Sequence, residues 1–323
     1  MNKFQMRIPE GMMDVFSLDL KKRRNCESLL KQIFTSNGYE EVVTPVFEYF
    51  DLFNNGVGKV PQNEMFLLTD ISGQLMVLRP DSTKPIARLV STRLKNAEFP
   101  LRLYYNQAVY KRNIKLNRKM DEIMQFGGEL IGKNGLETDI EMIKLAADSL
   151  KKFGSDFLIE IGHIDFFKSI IREIADDIKL CENMRQLVHN KNYPAIDNFS
   201  DKLSADALNK LKVLPQLFGK EEILKNAGEI FTDKACIAAL EYLNKLCTKL
   251  KELDLFDNIS IDLGIVNDYD YYTGIVFKGY IKQSGDAVLS GGRYDTLYND
   301  FDLKLPAIGF ALNVDDLASK IKL

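Results

Sequence analysis

The chain has 323 residues, of which 46% are hydrophobic, and it includes 20 Phe and 13 Tyr. A chain of this length and apolar content can bury a large core in one large domain, or in one domain with an insertion. The formal net charge is −3 and no run of about 18 apolar residues occurs, so extensive binding to a polyanion such as tRNA and a membrane-spanning segment are both disfavoured.

The start of the chain and its cysteines indicate a cytoplasmic protein. The first residues, Met1 to Gln5, lack the apolar core of a signal peptide. The four cysteines lie far apart and form no Cys-x-x-Cys pair, which favours buried thiols over disulfides or zinc ligands; they are Cys26, Cys181, Cys236 and Cys247. Only two histidines are present, so we expect no histidine-based metal site and no cofactor.

The first third of the chain predicts a long helix followed by short strands. Apolar residues that repeat every three and four positions predict a helix over 18–37, with Gly38 as its C-cap. Strands are expected over 41–44 and 74–78. After the second strand, Ser82 or Thr83 is expected to cap a further helix, which carries Pro85 in its first turn.

Two long strand-like segments, 101–112 and 123–131, flank a polar, basic loop and predict a hairpin at the centre of the fold. A helix that Gly154 ends and a strand over 157–161 follow. Strand patterning returns over three segments, 259–266, 271–280 and 287–290.

The piece between these strands, about 166–256, is charged and helical and predicts an insertion without strands inside one α+β domain. The fold class expected from the residues is therefore α+β, with a mixed sheet under helices.

Several short motifs, taken in series, resemble the catalytic domain of class II histidyl-tRNA synthetases. In chain order they are Gly11-Met12-Met13-Asp14, Gly38-Tyr39-Glu40-Glu41-Val42-Val43-Thr44-Pro45, Leu78-Arg79-Pro80-Asp81-Ser82-Thr83, Gln125-Phe126-Gly127-Gly128-Glu129, Asp270-Tyr271-Tyr272-Thr273-Gly274, Ser290-Gly291-Gly292-Arg293-Tyr294-Asp295 and Pro306-Ala307-Ile308-Gly309-Phe310-Ala311. Each is weak alone, but their order and spacing cover almost the whole chain. The resemblance implies a class II synthetase-like antiparallel sheet flanked by helices over 1–323, with the helical insertion and a dimer-forming first motif.

The resemblance also shows where this chain departs from synthetase chemistry. Adenylation needs cations to neutralise the triphosphate and the charge that develops at the α-phosphate. The family supplies three arginines, and their positions align with Lys111, Asn267 and Asp316. For two unit charges about 4 Å apart at an effective dielectric near 20, an inverted contact is unfavourable by roughly 4 kcal/mol. Productive ATP binding in the synthetase manner is therefore not expected.

The amino-acid pocket that the resemblance implies is largely kept. Asp81, Thr83 and Gln125 would take the ammonium group of a histidine ligand. Glu129 and Tyr272 would take its imidazole, with Tyr271 as a wall. The ligand carboxylate would depend on Lys111, Arg112 or backbone amides. The expected histidine-binding set is Asp81, Thr83, Lys111, Arg112, Gln125, Glu129, Tyr271 and Tyr272.

Each of these residues also has a simpler interpretation. Asp81 could merely begin a helix, where a carboxylate offsets the helix dipole. Tyr271 and Tyr272 could be ordinary sheet residues, and Gln125 and Glu129 could line a solvated strand face. The basic loop that holds Lys111, Arg112, Lys115, Arg118 and Lys119 could be a solvated hairpin tip rather than an anion or partner site.

The histidyl-tRNA synthetases continue into an anticodon-binding domain, whereas this chain ends at Leu323. A synthetase-like core without the arginines and without that domain resembles the ATP phosphoribosyltransferase regulatory subunits. This resemblance implies a non-catalytic subunit that dimerises, joins a short-form catalytic subunit and carries histidine feedback on the first step of histidine biosynthesis. A stand-alone synthetase-like aminoacyl transferase and a simple amino-acid sensor for another partner are the alternatives.

Overall fold

The computed structural model describes residues 3–113, 120–199, 201–266, 270–282 and 284–321. Asn267 lies outside these described residues, as do Lys115, Arg118 and Lys119 of the basic loop. The helices are α1 Ser17–Ser36, α2 Asp51–Asn54, α3 Thr83–Arg93, α4 Leu136–Lys151, α5 Ile164–Ile171, α6 Ile178–His189, α7 Ala205–Val213, α8 Glu222–Ile230, α9 Lys234–Glu252 and α10 Val314–Ala318. The strands are β1 Glu40–Glu41, β2 Phe47–Tyr49, β3 Leu67–Thr69, β4 Leu75–Leu78, β5 Leu101–Tyr110, β6 Glu122–Ile131, β7 Phe157–His163, β8 Phe218–Gly219, β9 Ile259–Asp262, β10 Ile275–Ile281, β11 Leu289–Arg293 and β12 Ala307–Asn313.

The chain divides into two compact units. The first comprises the described residues of 1–133, 269–271 and 295–323, and the second those of 134–268 and 272–294. The second unit thus contains α4 and β7 together with the helices of the expected insertion. The description of the chain as one domain with an insertion over about 166–256 stays a prediction.

The first unit is built on the predicted hairpin. Strands β5 and β6 pair antiparallel along their whole length, β12 pairs antiparallel with β6, and β1 pairs parallel with β5. A small separate sheet has the order β2-β4-β3. Helix α1 contributes Phe34, whose ring lies 5.1 Å from that of Phe126 and 5.7 Å from that of Phe310. One face of the hairpin is therefore an aromatic core under α1.

The end of α1 follows from local sequence. Gly38 has φ +78°, a conformation that glycine adopts without strain. The Tyr39 N–H then donates to the Phe34 carbonyl, so the chain reverses directly after the helix. The C-cap residue is Asn37, one position before the predicted Gly38, and the helix bounds likewise differ from the expected 18–37 by one residue.

The second unit has five strands in the order β11-β10-β7-β9-β8. Strand β10 pairs antiparallel with both β11 and β7, while β9 pairs parallel with β7. Helices α4 and α9 pack together and contact β7. A buried pair joins Arg293 of β11 to Asp139 of α4, and the hydroxyl group of Tyr242 donates to the same carboxylate at 2.6 Å.

Several sequence-based expectations are wrong in detail. The first short strand covers only Glu40–Glu41, although the Val42 N–H still donates to the Tyr104 carbonyl. The insertion contains the two-residue strand β8, so it is not free of strands. Strand β9 ends at Asp262 rather than at 266, and β11 covers 289–293 rather than 287–290. Strand β10 begins at Ile275 rather than at 271.

All four cysteines have free thiols; Cys26, Cys236 and Cys247 are buried as expected, whereas Cys181 is only half-buried. Burial raises the pKa of Cys26 and of Cys236 to about 12, which makes these thiols poor nucleophiles. Within the described part of the chain, no helix combines the length and the apolar character needed to cross a membrane.

Candidate functional site

The strand β6 separates the aromatic core from a polar face in the first unit. Because side chains alternate along a strand, Gln125, Gly127 and Glu129 lie on the face opposite to Phe126. Gly127 leaves room for Tyr105, because a β-carbon at position 127 would collide with the tyrosine hydroxyl. Gln125 is half-buried. The predicted pairing of Gln125 and Glu129 on one face is confirmed, but Glu129 does not face solvent.

Glu129 is the most deeply buried acid of this face, with 1% of its surface exposed. Its Oε1 accepts a hydrogen bond from Thr83 Oγ1 at 3.0 Å. The neighbouring strand supplies Gly309, where a β-carbon would collide with the Glu129 carboxylate. Burial and the negative charge of Glu129 raise the pKa of Tyr298 well above its ordinary value. A carboxylate in such a place strongly favours a cationic or hydrogen-bond-donating ligand group.

Helix α3 brings Asp81 and Thr83 to this face. Asp81 Oδ1 accepts a hydrogen bond at 3.0 Å from the N–H of Lys84, and this contact caps the helix. The expected side-chain cap from Ser82 or Thr83 is absent, because Ser82 makes no cap bond and the Thr83 hydroxyl group donates to Glu129. The Thr83 oxygen still has lone pairs that can accept from an ammonium group.

Burial of its carboxyl group raises the pKa of Asp81, while the helix N–H of Lys84 and the cations of Lys84 and Lys111 act in the opposite direction. Asp81 therefore both begins the helix and presents a poorly solvated carboxyl group. These two roles were alternatives in the sequence, and the geometry combines them.

The two cations expected at the ligand carboxylate differ in their surroundings. Lys111 Nζ lies 3.0 Å from Glu64 Oε2. Arg112 is exposed, and its guanidinium group lies 5.9 Å from the ring centroid of Phe66. A ligand carboxylate at Lys111 would compete with Glu64 for the same ammonium.

The two tyrosines precede β10 and are not sheet residues. Tyr271, 4% exposed, has its ring against Gly58 in the first unit. Gly58 has φ +67°, and a β-carbon there would collide with that ring. Tyr272 is described with the second unit, where its ring lies against Gly292 and its carbonyl accepts from Lys168 Nζ at 2.8 Å.

The first unit therefore brings together Asp81, Thr83 and Glu129, with Gln125 two side-chain positions along the Glu129 face. Lys111 is close enough to lower the pKa of Asp81 electrostatically. No group of three or more His, Cys, Asp or Glu side chains that could hold a metal ion occurs among the described residues.

Sequence reasoning missed several residues that build this site. Gln107 is buried on β5 and donates to Ser82 Oγ at 3.2 Å and to Thr44 Oγ1 at 3.1 Å. Lys84 is buried directly after Thr83. Its position beside the motif was a signal, since a lysine is rarely buried without a specific partner. Nothing in the sequence near Tyr298 indicated that its ring lies close to Glu129.

The structure describes two of the three positions that are expected to replace synthetase arginines. Lys111 is paired with a carboxylate, and Asp316 is exposed in the first turn of α10, where its N–H donates to Asn313 Oδ1 at 3.2 Å. An exposed acid at this position would repel a phosphate.

The sequence of this chain is similar to those of known proteins. The sequence model of the family described as histidyl-tRNA synthetase matches residues 11–317. An ATP phosphoribosyltransferase regulatory subunit from Clostridium botulinum strain Langeland is 37% identical over 327 residues, which cover 100% of this chain and 78% of that protein. One from Clostridium acetobutylicum is 39% identical, with 97% and 78% covered. The chain belongs to the ATP phosphoribosyltransferase regulatory subunit family.

The fold of the family is confirmed by solved structures. A crystal structure from Bacillus halodurans, described as an ATP phosphoribosyltransferase regulatory subunit/histidyl-tRNA synthetase, is 31% identical with a TM-score of 0.87 and covers 99% of this chain and 84% of that one. A histidyl-tRNA synthetase from Nostoc, at 19% identity and a TM-score of 0.79, covers 98% of this chain and 75% of that one, and it supports the fold alone. The predicted class II synthetase-like fold is therefore correct.

We predict that Gly309→Ala destabilises the protein by about 2 kcal/mol, because the added methyl group overpacks against the Glu129 carboxylate. In a Glu129→Ala background the same change should cost about 1 kcal/mol less, since the two positions are in direct contact. Urea denaturation of the four proteins measures this coupling. Gly285→Ala, at a glycine with open space around it, serves as the control and should stay within about 0.5 kcal/mol. Equal costs in both backgrounds would contradict the contact.

Proposed function

We propose that this chain is a non-catalytic, histidine-binding regulatory subunit of ATP phosphoribosyltransferase. In this proposal it joins a short-form catalytic subunit, is required for the first step of histidine biosynthesis and mediates feedback inhibition by histidine. It acts in the cytoplasm, needs no cofactor and does not bind tRNA. The observation that carries the proposal is the buried acid Glu129, hydrogen-bonded to Thr83 beside Asp81, in a chain whose relatives of closely similar sequence are named as this subunit.

The chemistry of the site suits histidine. The ammonium group of histidine needs carboxylate or hydroxyl oxygens, and the imidazole ring of histidine needs a polar partner at each nitrogen. Asp81 and Thr83 supply the first set, together with Gln125. Glu129 supplies an acceptor for an imidazole N–H, and we assign Tyr272 as the second imidazole partner and Tyr271 as a wall. Lys111 and Arg112 remain the proposed anchors of the ligand carboxylate.

The main alternative is a stand-alone synthetase-like aminoacyl transferase, which would need cations at the triphosphate. Two features weigh against it in the described residues: Lys111 is held by Glu64, and Asp316 places a negative charge where an arginine is expected. Asn267 adds a third lost cation in the sequence.

We therefore predict no histidine-dependent exchange of pyrophosphate into ATP by the isolated protein. The assay compares the protein with a blank without enzyme, and a histidyl-tRNA synthetase measured in parallel shows that the conditions support exchange. Exchange clearly above the blank would favour the aminoacyl transferase and contradict a non-catalytic role.

The proposal includes a self-dimer formed through α1 and the segment after it. Apolar side chains are exposed in this region: Phe16 is 72% exposed, Leu18 54% and Val43 74%. Exposed apolar side chains that cluster on one surface are typical of protein interfaces. A second copy of the chain is the occupant that the synthetase-like fold suggests.

We predict that the isolated chain sediments as a dimer at micromolar concentration, and that the double variant Leu18→Asp/Val43→Asp sediments as a monomer, because two charges would be desolvated at the interface. Ile237→Asp is the matched control, since Ile237 is 45% exposed on α9 of the second unit. A monomeric unaltered chain, or a dimer that is insensitive to the double variant, would argue against this interface.

Feedback can be tested at Glu129. Glu129→Gln keeps the shape of the side chain and removes its charge, so one charge-assisted hydrogen bond to the ligand is lost. Such a bond contributes roughly 1.5 to 3 kcal/mol, and we therefore expect histidine to bind about ten- to a hundredfold more weakly. By linkage, the assembled enzyme should stay active but respond poorly to histidine. Calorimetry and a phosphoribosyltransferase assay measure the two effects.

Glu122→Gln is the control for that experiment. Glu122 lies on the same strand seven positions earlier and therefore on the other face, so its replacement should leave binding and inhibition unchanged. Normal histidine binding by Glu129→Gln would remove the site assignment. Lost binding with full inhibition would place the control site elsewhere. Asp81→Ala is less informative, because it also removes the cap of α3.

A further inference from the structure

Lys84 is a buried cation that the proposed ligand set does not use. It is 2% exposed, and its Nζ donates to the Asn55 carbonyl at 2.9 Å. Burial lowers the pKa of Lys84, while the carboxylates of Asp81, Asp300 and Asp270 oppose that shift and the cation of Lys59 adds to it. A buried ammonium group among three carboxylates is costly to remove, because each of those acids would lose its counter-charge.

Two of the same carboxylates hold the backbone that follows Asn55. Asp300 Oδ2 accepts from the Val57 N–H at 2.9 Å, and Asp270 Oδ1 accepts from the Gly58 N–H at 2.6 Å. Gly56 and Gly58 both have positive φ, and a β-carbon at Gly56 would collide with the Asp300 carboxylate. The backbone over 55–58 is thus held by charged side chains at three points, the Asn55 carbonyl and the Val57 and Gly58 amides.

Residues 55–58 are linked to two residues of the proposed site, Tyr271 and Asp81. The ring of Tyr271, a wall of the proposed pocket, lies on Gly58. Asp81, a proposed ligand of the ammonium group, accepts a hydrogen bond from the Lys84 N–H. Lys84 therefore contacts Asp81 through its backbone and the 55–58 segment through its side-chain ammonium group.

We propose that Lys84 is a positioning residue of the amino-acid site: its ammonium group pins the 55–58 backbone on which the Tyr271 ring lies, and its backbone N–H holds the Asp81 carboxyl group where it can receive the ammonium group of a zwitterionic ligand. The proposal rests on the proposed histidine site, which it deepens by naming the residue that tunes it. Lys84 contacts no ligand in this scheme and acts through Asp81, Asn55 and the carboxylates of Asp270 and Asp300.

The sign of the pH effect follows from the groups around Asp81. Burial raises the pKa of Asp81, and the cations of Lys84 and Lys111 lower it, so ligand binding is lost as the pH falls through that pKa. Removing the Lys84 charge raises the pKa of Asp81 further, because a cation that favours the ionised carboxylate is lost. The acid limb of the binding curve, which is the pH range over which binding is lost on acidification, therefore moves to higher pH. Free histidine titrates identically in every experiment and contributes no difference between variants.

The test uses the full chain and the variants Lys84→Met, Lys84→Arg and Lys59→Met. Histidine binding is measured by calorimetry across the acid limb. Lys84→Met should move the limb to higher pH and weaken binding about tenfold because the 55–58 backbone is no longer pinned, whereas Lys84→Arg should keep the limb in place because it keeps the charge. Lys59 is exposed, so Lys59→Met removes the same charge from the same loop and should leave the limb in place.

A second measurement does not depend on histidine. Hydrogen exchange of the Val57 and Gly58 amides, read by NMR without ligand, should be faster by at least about tenfold in Lys84→Met and unchanged in Lys59→Met. Unchanged exchange overturns the inference, and so does an acid limb that moves equally in the Met and Arg variants. If the unaltered protein binds no histidine, the proposed function fails, and the exchange of these two amides alone decides whether Lys84 holds the loop.

Discussion

The hydrogen bond from Thr83 to the buried carboxylate of Glu129 is the interaction on which the site depends. It joins the first turn of α3 to the centre of the β5–β6 hairpin, and it can form only because Gly309 leaves the space that the carboxylate occupies. The opposite face of the same strand is the aromatic core around Phe34 and Phe126. A single strand therefore fixes both the packing of α1 and the position of the acid, so that the stability of the hairpin and the shape of the site are inseparable.

Under the proposed function, the balance of charges around this acid is what distinguishes the protein from a synthetase. A synthetase-like fold gathers cations to hold a triphosphate, whereas two described lysines near this acid lie beside protein carboxylates. Lys111 is paired with Glu64, and Lys84 neutralises a cluster of three aspartates. The site therefore suits a small ligand that brings its own positive charge. We propose that this ligand is histidine, whose ammonium and imidazole groups fit that description.

Much of the fold could be predicted because its signals are local. The helix before Gly38 and the hairpin strands follow from hydrophobic period and turn residues, and the shared face of Gln125 and Glu129 follows from the two-residue period of a strand. The charge cluster could not be predicted in this way. Lys84 and Asn55 are 29 positions apart, and Asp300 and Val57 are 243 apart. Such contacts are set by tertiary packing, so no periodic pattern reports them, and the short strand β8 was missed for the same reason.

The most direct test of the account is a phosphoribosyltransferase assay of the short-form catalytic subunit, with and without this chain, as a function of histidine concentration. We expect the catalytic subunit alone to be poorly active and insensitive to histidine. Adding this chain should raise its activity and make it inhibitable by histidine. Activity that this chain leaves unchanged would contradict the proposed role. So would activity that this chain raises but that histidine does not inhibit, if the isolated chain also binds no histidine.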